Sequence, residues 1–179
     1  RERQGATGAL LGLLEPHRDA LGDGEGARLF GRALVAANRH PEGVVHLRRY
    51  AAPRLQNYLK AKASLRVIAS EEEQVARTKI QGNEAPSIFY VMYNASQADR
   101  REQMVADFIE HHKQETPRYT TAVSEVERLS PVIQVVLDMG AGLLRTARGQ
   151  DDPDVRRATL EEAENAFRSV RDEIADPVA

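Results

Sequence analysis

Cysteine and tryptophan are missing from this sequence altogether. Without cysteine there is no disulfide and no thiolate to act as nucleophile or ligand, which leaves the redox compartment open. Aromatic residues are scarce, nine in 179, and three of them fall within the stretch SIFYVMYN at positions 87–94. No apolar run approaches the ~18 residues that span a bilayer, so a soluble domain is expected, with the cytoplasm slightly favoured. A fourth shortage is local. From Val44 to Ser70 there is no acidic residue, while Arg48, Arg49, Arg54, Lys60, Lys62 and Arg66 supply six positive charges.

What remains is the composition of a folded domain, 41% hydrophobic and 29% charged. The net charge of −2 argues against a general nucleic-acid binder, which is usually basic. At this length one domain with a real core is expected. The chain begins at Arg1 instead of methionine and is read as a piece of a longer protein.

Helical periodicity dominates. In the segment from 153 to 175, Asp152 can cap, Pro153 suits the first turn, and Leu160, Ala163, Phe167, Val170 and Ile174 recur at spacings of three and four. Glu164 and Arg168 are placed as a favourable i,i+4 pair. A second helix opens at Ser130–Pro131 and is apolar on nearly every side from Val132 to Met139, which marks it as central. Shorter helices are expected after Thr116, as cap, and after Ser96, where Asp99 completes an arrangement like a capping box. A long helix is expected over 53–81, and short helices over 1–52, broken at Pro16, at GDGEG (22–26) and at HPEG (40–43). The expected fold is therefore all-α: a single-domain antiparallel bundle, or helical-repeat-like array, of six to eight helices, with 87–175 as its helical core. SIFYVMYN is expected as a short, fully buried helical segment or extended chain across that bundle.

Two stretches resemble known families. EEAENAF, with Val170 and Pro177, is similar to the second helix of a tetratricopeptide repeat, although the first-helix pattern is absent at the required offset. VLDMGAG (136–142) resembles the first motif of Rossmann-type methyltransferases through Asp138, Gly140 and Gly142. It belongs to an alternative in which the β-leaning runs 65–69, 87–93 and 132–138 are strands of a small α/β sheet, and there it implies a methyltransferase-like enzyme. The competing reading is that Gly140 and Gly142 let neighbouring helices approach closely.

No chemistry-bearing motif stands out. There is no His-Glu-x-x-His, Walker loop, Gly-x-Ser-x-Gly or EF-hand loop, and no Glu-x-x-His pair of the di-iron type. No cofactor and no metal is expected. The preferred expectation is a non-enzymatic interaction or regulatory module, whose basic surface of Arg48, Arg49, Arg54, Lys60, Lys62 and Arg66 meets an acidic protein partner or an acidic face of the same chain. The alternative is a helical ligand-sensing domain, such as the sensor part of a membrane receptor, with a pocket lined by Phe89, Tyr90, Tyr93, Met104, Phe108 and His112. His112 would also serve as a titrating group whose protonation near pH 6 disfavours packing. Nucleic acid and membrane surfaces are the less favoured partners.

Overall fold

Most prolines of this chain stand at the start of a helix, where a missing N–H costs no hydrogen bond. The computed structural model describes residues 2–175, with side chains over 6–171. Among these are eight α-helices, one 3-10 segment and no strand. The helices are α1 (Glu2–Leu14), α2 (Glu25–Ala36), α3 (His40–Gln81), α4 (Ser87–Ala95), α5 (Ala98–Glu115), α6 (Pro117–Leu129), α7 (Val132–Arg148) and α8 (Pro153–Ala175), and the 3-10 segment is Glu15–Ala20. The all-α bundle expected from periodicity is the fold. The runs 65–69, 87–93 and 132–138 are all helical, so the strand-then-turn frame of a methyltransferase motif does not form.

The expected break at 40–43 is instead the start of α3, because Pro41 falls in the first turn, where a missing N–H costs no hydrogen bond. The helix also continues through Pro53, which lies on its exposed side. α2 and α3 are each closed at the C-terminal end by an asparagine in the left-handed region, Asn38 (φ 63°) and Asn83 (φ 58°). In each case the following amide reaches back five residues, Arg39 to the Leu34 carbonyl (2.9 Å) and Glu84 to the Lys79 carbonyl (2.7 Å), which is the Schellman closure.

The chain groups into two compact units, one of residues 1–58 with 129–179 and one of 59–128, and α3 contributes to both. In the first unit α7 packs along α8, and α2 meets the start of α3. Glycine sets these approaches. A Cβ on Gly43 would lie 2.6 Å from Val35 Cγ2 and 2.7 Å from the Gly31 carbonyl oxygen; one on Gly31 would lie 2.9 Å from the Gly43 oxygen. On α7, a Cβ on Gly142 would meet Val44 at 2.9 Å, and one on Gly140 would meet the Phe167 ring at 2.8 Å. The glycine pair of VLDMGAG thus serves helix packing. Around these contacts Phe30, Leu34, Leu47, Val136, Ala163 and Val170 are almost wholly enclosed. Leu160, expected inward, is exposed, and Ile174 and Pro177 lie outside the described side chains.

In the second unit Leu65, Ala76, Ala85, Phe89, Ile109, Tyr119 and Val126 are the buried hydrophobic residues. SIFYVMYN is helical but not fully buried. Phe89 turns inward, while Ile88 (65%), Val91 (65%) and Met92 (57%) are exposed. The reason is geometric: a helix of nine residues against one neighbouring surface has room to enclose only one side.

Two expected caps also differ. Ser96 Oγ donates backwards to the Tyr93 carbonyl (2.8 Å), and Gln97 occupies the cap position of α5 without a side-chain bond. Thr116 Oγ1 donates to the His112 carbonyl (2.9 Å). Both hydroxyls close the preceding helix instead of opening the next. Asp152 behaves as expected, with Oδ1 accepting from the amides of Asp154 (2.9 Å) and Val155 (3.3 Å).

The glycine contacts make a direct prediction. Gly43→Ala forces a methyl group against backbone and should lower stability by about 1–3 kcal/mol, read as a lower urea midpoint. Gly12→Ala in α1, where nothing lies within 4 Å, should instead raise it by about 0.5–1 kcal/mol. Equal effects at the two positions would contradict the packing argument.

Candidate functional site

The six cations of the acid-free segment all lie on α3, but they do different things. In the first unit Arg48 is salt-bridged to Glu162 of α8, both half exposed. Arg54 is fixed by its surroundings. Its NH1 donates to the Asp23 carbonyl (2.7 Å) and the Tyr50 carbonyl (3.0 Å), and its guanidinium lies 4.0 Å from the Tyr50 ring centroid. Tyr50 in turn donates its hydroxyl to Glu25 Oε1 (2.9 Å). Burial and this carboxylate raise the Tyr50 pKa, while the Arg28 guanidinium holds the Glu25 carboxyl below the usual range. Arg49 is exposed and has no ion-pair partner among the described residues.

In the second unit Lys62 is buried, at 4% exposure, and so is withdrawn from the expected partner surface. Its position on the apolar arc carries its stem inward. Lys60 and Arg66 are exposed, and neither has an ion pair among the described residues. They border a strip in which Leu59, Ala63 and Val67 recur at intervals of four. Leu59 is 41% and Val67 56% exposed. Taking 100° per residue, Arg66, Leu59, Ala63, Val67 and Lys60 span about 120° of the helix surface, with a cation at each margin.

The six residues expected to line a pocket come together only in part. Phe89 packs against Tyr90 (5.4 Å between centroids), Tyr93 (5.6 Å) and Phe108 (4.9 Å), so these rings fill the space among themselves. The Tyr90 hydroxyl donates to the Ile80 carbonyl (2.9 Å). Met104 is half-buried. Of the six, only Tyr93 lines the neighbouring cleft of about 290 Å³, alongside Arg77, Arg101, Val105 and Ile109. His112 is engaged elsewhere, with Nδ1 3.4 Å from Lys79 Nζ and Nε2 3.4 Å from Glu72 Oε2.

Asp138, the acid of the methyltransferase-like stretch, accepts from Arg32 Nε (2.7 Å) and from Gln134 Nε2 (2.9 Å). It is a link between α2 and α7. Among the described residues no group of three or more His, Cys, Asp or Glu side chains could hold a metal ion, and no helix is long and apolar enough to cross a membrane.

The chain matches no known protein family. No curated protein and no solved structure is significantly similar to it either.

A feature that periodicity did not reveal lies in the first unit. A cleft of about 230 Å³ is formed by the 3-10 segment, α2 and the start of α3, with Phe30 and Val45 in its wall. His46 lines it, edge-on to Phe30 (4.8 Å between centroids), and its Nδ1 is enclosed without a partner. The contributing segments are far apart in sequence, so no local pattern could have pointed to it.

Burial pushes both His40 and His46 below the ordinary histidine range, and Arg145 beside His40 and Arg49 beside His46 act in the same direction. Below pH 6.5 the unfolded chain then binds protons that the folded chain refuses. Stability is full above that pH and is lost as pH falls through the depressed folded-state values. Urea midpoints should drop from pH 7 towards pH 5, and His40→Gln with His46→Gln should flatten that drop. An unchanged slope in the double variant would count against it.

Proposed function

We propose that this chain is a non-enzymatic helical interaction module that receives an acidic, helix-forming segment of another protein along α3. The observation that carries this reading is the strip within the second unit: exposed Leu59, Ala63 and Val67 with Lys60 and Arg66 at its margins. An apolar stripe at i, i+4, i+8 is the surface a partner helix packs on, and unpaired cations on both sides select carboxylates on that partner. The acid-free run from Val44 to Ser70 supports the same choice of charge. A few well-packed side chains carry most of the affinity of such an interface, and the flanking charges contribute rate and selectivity.

The test uses the natural absence of cysteine. Ala63→Cys gives a single labelling site at the centre of the strip, with Thr121→Cys on α6 as the control. A photo-crosslinker on each, in lysate of the source organism, should capture an acidic helical segment from the first position and not from the second. The purified pair should weaken about tenfold on Lys60→Glu with Arg66→Glu, and weaken further as salt rises. Equal capture at both positions, or affinity indifferent to the charge reversal, would overturn the reading.

A further inference from the structure

We propose that the cleft between the 3-10 segment, α2 and the start of α3 binds a small phosphate-type oxyanion, held by Arg49, Arg18 and His46. This does not depend on the interaction surface above, which lies on other residues.

Three cations reach the cleft, and the structure accounts for one of them. Arg39 gives its NH1 to Glu15 (2.7 Å) and its Nε and NH2 to the two oxygens of Glu42 (2.8 and 2.6 Å). That closes the Glu42 carboxylate as well. Among the described residues Arg18 has only a 3.8 Å approach to Asp19, whose side chain is 96% exposed. Arg49 has no ion-pair partner among the described residues. Two guanidinium groups are therefore left to face the same space.

His46 adds a third donor. Its enclosed Nδ1 has no partner, and an unprotonated nitrogen is the less costly group to leave there than an unsatisfied N–H. The proton of the neutral ring then sits on Nε2, which is neither enclosed nor bonded among the described residues. Contact with Phe30 fixes the plane of the ring. Two forked guanidinium groups and an imidazole N–H lining one cleft, supplied by the 3-10 segment and α3, suit a tetrahedral oxyanion better than a single carboxylate. Asp19 and Glu42, also in the lining, disfavour an extended polyanion. The charged groups facing His46 are Arg49 and Glu42 on its own helix and Arg18 and Asp19 on the 3-10 segment. An anion between the two arginines reverses their push on the ring.

The experiment follows the His46 ring resonances by NMR in the full chain, assigned by their loss in His46→Gln. Inorganic phosphate is titrated against sodium chloride and sodium acetate at equal ionic strength, with glycerol phosphate as a further arm. Phosphate should give a saturable shift and move the His46 titration to higher pH than chloride does. Arg49→Gln, an exposed substitution, should raise the phosphate midpoint about tenfold. A lower midpoint for glycerol phosphate identifies the natural ligand as a monoester, and a higher one identifies the free anion; both support the site. Acetate matching phosphate, chloride reproducing the shift, or Arg49→Gln leaving the midpoint unchanged would each overturn the proposal.

Discussion

In the first unit two helices touch with no side chain between them. The Gly31 and Gly43 backbones face each other so closely that neither could carry a methyl group without displacing a carbonyl. Helix axes usually stand 8–10 Å apart because side chains separate them, and removing those side chains brings backbone against backbone. The rest of that unit follows from this approach. Phe30 and Leu34 on α2 and Leu47 on α3 become fully enclosed, and Val44 reaches Gly142 on α7. Gly140, one half-turn away, accepts the Phe167 ring of α8. Glycine is unfavourable in a helix interior by about 1 kcal/mol, so four such positions are tolerated only because the packing they permit is worth more.

Electrostatics are layered on that frame. The acid-free stretch of α3 suggests one continuous basic face, yet its cations divide into three kinds. Arg48 and Arg54 join α3 to other parts of the first unit, through Glu162 and through the Asp23 carbonyl with the Tyr50 ring. Lys62 is enclosed. Arg49, Lys60 and Arg66 remain exposed without a described ion pair, and these three carry the chemistry available to another molecule. The charge census of a segment therefore overstates its surface potential by counting cations that hold the fold together.

Much of the architecture was legible because helical periodicity is local. The inward Ala163, Phe167 and Val170 of α8, the Asp152 cap and the Glu164–Arg168 pair follow from neighbours within a few turns. The errors have equally physical origins. Pro41 looks like a break but sits where a helix needs no N–H, and the hydroxyls of Ser96 and Thr116, which could have accepted from an amide of the next helix, donate to a carbonyl of the preceding one. SIFYVMYN is apolar all round, which periodicity reads as burial, but a short helix with one packed side leaves Ile88, Val91 and Met92 in solvent. Phe89, Tyr90, Tyr93 and Phe108 lie in one cluster whose rings pack on one another. The His46 cleft was invisible because it joins residues 18, 30 and 46, and no spacing rule connects them.

The most direct test is the proton–proton distance at the bare contacts. Nuclear Overhauser spectra of the labelled chain should contain strong cross-peaks from the Gly43 Hα protons to the Val35 methyl groups, and from Gly140 Hα to the Phe167 ring, with the latter proton displaced by the ring current. Weak or missing cross-peaks at both glycines would mean that side-chain-width gaps separate these helices, and the account of how the first unit holds together would fail.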